Sequence, residues 1–270
     1  MREYKNEANA GQYALVTGAS SGMGLDYCRR LAEMGYSIIM AALDNGLLPQ
    51  AVEDVRLHCI IGNSQEILPI GMDLGQFDSA DKLIAQVGDR QVDILINNAG
   101  FFKFGSMDIW SEAQVHSMHV LHNVTPVTLC WHYSKLMKER GHGRILNISS
   151  LAAWMPYPGI TMYSATKCFN RSFSRSLRIE LMHTGVTVTA AYFGAVDTSL
   201  YKLSDNHRKL ARGLGVMITP QKAVEKALKA MFEGKSSCMP GFLNRIALPF
   251  LNLSERTLYR LLYKYGGRLS

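Results

Sequence analysis

Apolar residues along the chain fall into short runs of strand character separated by longer amphipathic stretches. The runs are Tyr13 to Val16, Ile38 to Ala42, Ile67 to Met72, Ile94 to Ile96, Arg144 to Ile148 and Val186 to Ala191. Their alternation with helix-length segments predicts βαβ units stacked into a doubly wound parallel sheet, an α/β protein in three α/β/α layers. Between the first two runs, Leu25, Cys28, Leu31 and Ala32 recur at helical spacing within Gly24 to Met34, and Gly35 follows as a stop signal. No internal repeat or linker-like tract divides the chain, so residues 1–239 read as one domain. From Thr198 to Ile218 the pattern weakens, before Thr219-Pro220 supplies a hydroxyl cap and a first-turn proline. Residues 195–218 are therefore read as a substrate lid.

Composition narrows the class further. The 270 residues are 47% apolar and 19% charged, as in an ordinary globular protein. Lysine and arginine exceed the acids by seven, yet no run of five basic residues suggests a nucleic-acid arm. Much of the excess lies in residues 240–270, where Arg245, Arg256, Arg260, Lys264 and Arg268 face the single Glu255. Cys28, Cys59, Cys130, Cys168 and Cys238 form no C-x-x-C, so neither a disulfide framework nor a zinc site is expected. The polar N-terminus lacks the apolar core of a secretory signal, and no eighteen-residue apolar run spans a membrane. The expectation is a cytoplasmic protein.

Chemistry enters at the first turn. Thr17-Gly18-Ala19-Ser20-Ser21-Gly22-Met23-Gly24 follows the first strand and opens a helix. Glycines there permit a tight turn and close approach of the backbone to a pyrophosphate, and the helix N-terminus favours the anion. Gly18, Ser20, Ser21, Gly22, Met23 and Gly24 are the candidate phosphate-binding residues.

The spacing T-G-x-x-x-G-x-G resembles the classical short-chain dehydrogenase/reductase (SDR) family, and further landmarks follow in order. Asn97-Asn98-Ala99-Gly100 matches the segment ending the fourth strand beside the cofactor, and Ser150 stands thirteen residues before Tyr163-Ser164-Ala165-Thr166-Lys167. The resemblance covers roughly residues 11 to 235 and implies a Rossmann-type fold binding NAD(P). It implies that Asp73, with Leu74, lies at the adenine, that Asn97, Ala99 and Gly100 border the cofactor, and that Gly194 and Thr198 contact its nicotinamide end. It also implies that Tyr163 exchanges a proton with the substrate oxygen while Lys167 holds the nicotinamide ribose. The residues support that chemistry independently. Tyr163 and Lys167, four apart in a helical stretch, share one face, and a nearby cation favours phenolate over a phenol of pKa about 10. Ser150 is suited to hydrogen-bond charge developing on the substrate oxygen.

Three departures from the family pattern stand out. The catalytic asparagine's position falls on His122, with Asn123 next to it, and one residue turns a helical side chain by about 100°. Either His122 replaces the asparagine in the proton relay, or a local irregularity lets Asn123 serve. The usual Pro-Gly after the sixth strand reads Phe193-Gly194. At the end of the second strand, Ala42 and Leu43 replace the residues that select the coenzyme, and Asp44 follows, leaving NAD against NADP unresolved. His116, His119, His122 and His132 drift round their helix without acidic company, so no metal is expected.

Leu151 to Pro158 and the lid residues Leu200, Tyr201, Leu203, Leu214 and Met217 imply an apolar pocket for a lipophilic carbonyl or alcohol, steroid-like or long-chain acyl. In the tail, Leu258, Leu261, Leu262 and Tyr265 form one stripe and Arg256, Arg260 and Lys264 another. This basic amphipathic C-terminal extension either packs on the protein or a partner subunit, or lies on an anionic membrane surface. The resemblance further implies a homodimer or homotetramer through the helices carrying His122 and Tyr163. The alternative to an enzyme is a non-catalytic cofactor-binding regulatory or scaffold protein.

Overall fold

The computed structural model describes residues 9, 11–60, 64–154, 158–197 and 217–240. Residues 198–216 of the expected lid, including Thr198, Leu200, Tyr201, Leu203 and Leu214, lie outside them, as do residues 241–270 of the basic tail. The six apolar runs become strands β1 (Tyr13–Thr17), β2 (Ser37–Ala42), β3 (Ile67–Gly71), β4 (Val92–Asn97), β5 (Gly143–Ser150) and β6 (Val186–Phe193). Between and after them lie α1 (Gly22–Glu33), α2 (Leu48–Arg56), α3 (Ser79–Val87), α4 (Glu112–His119), α5 (Thr125–Arg140), α6 (Thr161–Glu180) and α7 (Pro220–Phe232). Short strands β7 (Ala195–Val196), β8 (Met217–Ile218) and β9 (Ser237–Cys238) were not legible in the periodicity. Two residues carry too little pattern.

The seven-stranded sheet runs β3-β2-β1-β4-β5-β6-β9, with every pair parallel. From β1 the chain winds outward to β3, then returns to β1's other side as β4 and winds the opposite way. Helices cover both faces, which explains the near-continuous apolar strands: all six residues of β2 and all six of β4 are buried. On one face Val16, Ile38, Met40, Ile94 and Ile96 pack against Tyr27, Leu31, Val52, Val224 and Leu228 of α1, α2 and α7. The alternate strand residues Leu15, Ile39, Leu95 and Ile145 pack on the other face against Leu83, Leu129, Tyr133 and Met137 of α3 and α5. The predicted start of the last helix is present: Thr219 Oγ1 accepts from Lys222 N at 3.4 Å, and Pro220 opens α7.

Two polar devices hold the functional strand ends in register. Thr17 Oγ1 donates to the Ile96 carbonyl (3.3 Å) and accepts from the N–H groups of Asn98 (2.9 Å) and Ala99 (3.0 Å), joining the end of β1 to the end of β4. Deeper in, Asn97 Nδ2 donates to Asn147 Oδ1 (2.8 Å), and Asn147 Nδ2 donates to Ser174 Oγ (2.9 Å), which ties β4 and β5 to α6 inside the core.

Helix α4 begins with a capping box between Ser111 and Gln114 and passes into α5 through a π-helical turn, Val120–Val124. Pro126 supplies the reason. It has no N–H for the carbonyl of His122, and its ring would crowd that carbonyl in a regular helix. The chain widens instead, with Thr125 N–H reaching back to the Val120 carbonyl. This is an irregularity of the kind the adjacent His122 and Asn123 raised.

Thr17→Val keeps the shape and removes all three hydroxyl bonds, leaving two N–H groups without their acceptor. The expected cost is about 2–4 kcal/mol in urea unfolding, with Thr17→Ser losing much less.

Candidate active site

The winding reverses between β1 and β4, and ligands of such sheets bind outside the strand ends at that point. Here a cavity of about 500 Å³ opens there, lined by Gly18, Ser20, Ser21, Gly22, Met23, Asp73, Leu74, Ala99, Gly100, His122, Ser150, Tyr163, Lys167 and Gly194. Fourteen expected site residues are thus brought to one cleft. Gly18 has a left-handed φ of 67°, and a Cβ added at Gly24 would stand 1.9 Å from the Gly18 carbonyl oxygen. Only glycine lets α1 begin this close to the strand end. Ser21, the N-cap of α1, makes no side-chain capping bond, so its hydroxyl does not occupy the first-turn N–H groups. The donor set and the cradle fit a dinucleotide pyrophosphate.

Other expected positions lie elsewhere. Asn97 points into the core bond with Asn147, while its neighbour Asn98, not among the expected site residues, lines the cavity and donates from Nδ2 to the Thr17 carbonyl at 2.9 Å. Asp44 packs over Gly71, its Cβ 3.2 Å from where a Gly71 Cβ would be. Ala42, Leu43 and Asn45 line the cleft at that end. Among the described residues, this strand end lines the cleft with neither a carboxylate nor a cation.

The apolar lining also differs from expectation. Trp154 is held between the Tyr192 ring (4.6 Å) and the Arg171 guanidinium (4.6 Å) and does not line the cavity. Met155, Pro156 and Tyr157 lie outside the described residues. Phe101 and Phe102 form the wall instead, joined by Leu121, Phe193 and Val196. Phe102 meets the Tyr163 ring edge-on at 5.0 Å. The signal was available: both phenylalanines immediately follow Asn-Asn-Ala-Gly, and a strand that ends at a ligand delivers its next residues to the same place.

Helix α6 presents Tyr163 and Lys167 on one face, both buried. Lys167 Nζ donates to the Ile148 carbonyl at 3.2 Å and stands 5.5 Å from the Tyr163 ring centroid. Burial lowers its pKa to about 8, so the ammonium persists at neutral pH beside the phenol. Ser150 Oγ accepts from Ala152 N–H at 3.1 Å. That bond uses a lone pair and leaves the hydroxyl proton to be donated.

His122 and Asn123 are both buried and face different ways. His122 reaches the cavity, with its ring 5.8 Å from that of Tyr163. Burial first, and the charge of Lys167 second, hold its pKa well below the ordinary histidine range, so the ring is neutral. Asn123, in the amide orientation that matches donors to acceptors, donates to the carbonyls of His122 (3.1 Å) and Thr166 (3.2 Å) and accepts from His119 Nδ1 (3.2 Å). It occupies the carbonyl that Pro126 leaves unpaired.

Lys167 gives a pH signature. The folded protein releases its proton near 8 and the unfolded chain near 10.5. Between those values the unfolded state holds more protons, so stability gains as pH rises from about 8 to about 10.5. Lys167→Met is expected to remove this gain, read as the difference between variant and parent unfolding curves across that window.

Comparison with known proteins agrees with this geometry. The family model described as short chain dehydrogenase matches residues 12–209. A short chain dehydrogenase of Pseudocercospora fijiensis is 32% identical over 199 residues, 70% of this chain and 61% of its own length. A 3-oxoacyl-[acyl-carrier-protein] reductase of Synechocystis is 33% identical over 196 residues, 72% of this chain and 77% of its own. Among solved structures, the bulky-bulky ketone specific alcohol dehydrogenase from Comamonas testosteroni superposes with a TM-score of 0.75 at 25% identity, covering 92% of this chain and 93% of that one. A cleft built from a glycine turn and the Ser150, Tyr163 and Lys167 side chains, on a sheet of this order and with these relatives, makes the chain a member of the short-chain dehydrogenase/reductase family of NAD(P)-dependent oxidoreductases.

Proposed function

We propose that the protein transfers hydride between NAD(P) and a lipophilic ketone or secondary alcohol, steroid-like or long-chain acyl, with Tyr163 as general acid and base. The observation that carries this reading is the position of Tyr163, buried where the glycine-bordered cleft meets the aromatic wall of Phe101 and Phe102, with the Lys167 ammonium one helical turn behind. The bound nicotinamide supplies or accepts the hydride. Gly18 to Gly24, Asp73, Leu74, Ala99 and Gly100 bind the coenzyme, and Lys167 holds its ribose. Ser150 donates a hydrogen bond to the substrate oxygen, and Tyr163 gives that oxygen a proton in reduction or takes it in oxidation. Lys167 favours the phenolate by charge, which brings the exchange toward neutral pH.

The lipophilic assignment rests on the wall of Phe101, Phe102, Leu121, Phe193 and Val196, which offers contact area and few hydrogen bonds. The names of the two relatives above, an acyl-carrier reductase and a bulky-ketone dehydrogenase, support it. A homodimer or homotetramer through α5 and α6 would cover Trp131 and Phe169, which are 59% and 45% exposed. The five cysteines form no disulfide with one another, which fits a reducing cytoplasm. No described helix is long and apolar enough to cross a membrane.

Tyr163→Phe is expected to lower kcat at least about 10²-fold while leaving the coenzyme Kd within about twofold. Full turnover in that variant defeats the mechanism. Binding of coenzyme without turnover of any carbonyl by the parent protein would favour a regulatory or scaffold role. With Asp44 turned onto Gly71 and no cation at the end of β2, NADH and NADPH are expected to bind within about tenfold of each other in fluorescence titrations.

A further inference from the structure

His122 is joined to the site at both ends of its ring. The Phe101 backbone N–H donates to Nε2 at 3.1 Å. A backbone N–H donates only, so Nε2 carries no proton, and a neutral ring must carry its proton on Nδ1. Nδ1 lies 3.0 Å from Thr166 Oγ1, which itself donates to the Tyr163 carbonyl at 2.9 Å. Directions therefore run one way, from Phe101 N–H through the imidazole and the Thr166 hydroxyl to the backbone of Tyr163. Both ring nitrogens are occupied, and protonating Nε2 would set two donors against each other. A carrier of protons needs a nitrogen open to gain and lose one. The space is committed as well, since a Cβ at Gly100 would stand 2.9 Å from Nε2.

We infer that His122 is a positioning residue, a fixed-tautomer clamp that sets the Phe101–Phe102 wall against the helix carrying Tyr163, and not a member of the proton relay. The kinetic part rests on the reading of Tyr163 as general acid and base; the tautomer does not.

The imidazole has two nitrogens at different reach, and two amides separate them. Glutamine at 122 extends to the Nε2 position and retains an acceptor for Phe101; asparagine ends at the Nδ1 position and retains a donor for Thr166. Loosening the wall is expected to raise KM about tenfold in His122→Asn with kcat held within about twofold. Freeing the Tyr163 turn is expected to lower kcat about tenfold in His122→Gln with KM held. Thr166→Val is expected to match His122→Gln, and the double variant to be no worse than either, because both cut one link. Equal loss of kcat in the asparagine and glutamine variants, with an enlarged solvent deuterium isotope effect, would make His122 a proton carrier. Unchanged kinetics in all three variants would reduce it to packing.

Histidine ¹⁵N spectra of the intact protein decide the tautomer without any substrate. The signal lost in His122→Asn is expected to show an Nδ1–H ring that does not titrate between about pH 5.5 and about pH 8.5. An Nε2–H ring, or titration in that window, overturns the clamp. If no carbonyl is turned over, the enzymatic reading fails while these spectra still judge the clamp.

Discussion

A parallel sheet covered by helices on both faces has only its strand ends to offer a ligand. Every position of β2 and β4 is buried, so a ligand is met only beyond the carboxyl ends of the strands. Where the winding reverses, two adjacent loops leave in opposite directions and a cleft opens between them. The Thr17 hydroxyl fixes the width of that opening by holding the turn after β4 to the end of β1. The coenzyme cradle, the aromatic wall and the helix bearing Tyr163 are all referenced to this junction.

Around it, two basic side chains are buried and handled in opposite ways. Lys167 keeps its charge at neutral pH because a carbonyl accepts from it and the phenol lies close by. His122 loses its charge because its ring is enclosed, lies near that same ammonium and faces a backbone donor. One buried cation is sufficient to polarise the tyrosine. A second so close would raise the cost of both.

The landmarks that were readable in advance share a cause. Glycines at a strand end, a Tyr-x-x-x-Lys on one helix face and a Thr-Pro helix start are each set by local geometry, and each stands where its spacing placed it. What escaped depends on tertiary detail. Asn97 and Asn98 are adjacent and chemically alike, and only the register of β4 decides which enters the core and which meets the cleft. Asp44 was legible as a residue near the ribose but not as one folded over Gly71. Which of His122 and Asn123 faces the cleft depends on a π-helical turn whose trace in the sequence is a single proline four residues after His122. Trp154, expected in the pocket, is sequestered by Tyr192 and Arg171, partners distant from it in sequence.

The small ribbon of β7 and β8 carries one more implication. Ala195 pairs with Met217 and Val196 with Ile218, so the segment after β6 is tied by backbone bonds to the segment that leads into α7. Val196 also lines the cleft, so that corner of its wall is held by backbone pairing as well as by side-chain packing. A strand pair only two residues long thus sets one boundary of the cleft from outside the seven-stranded sheet.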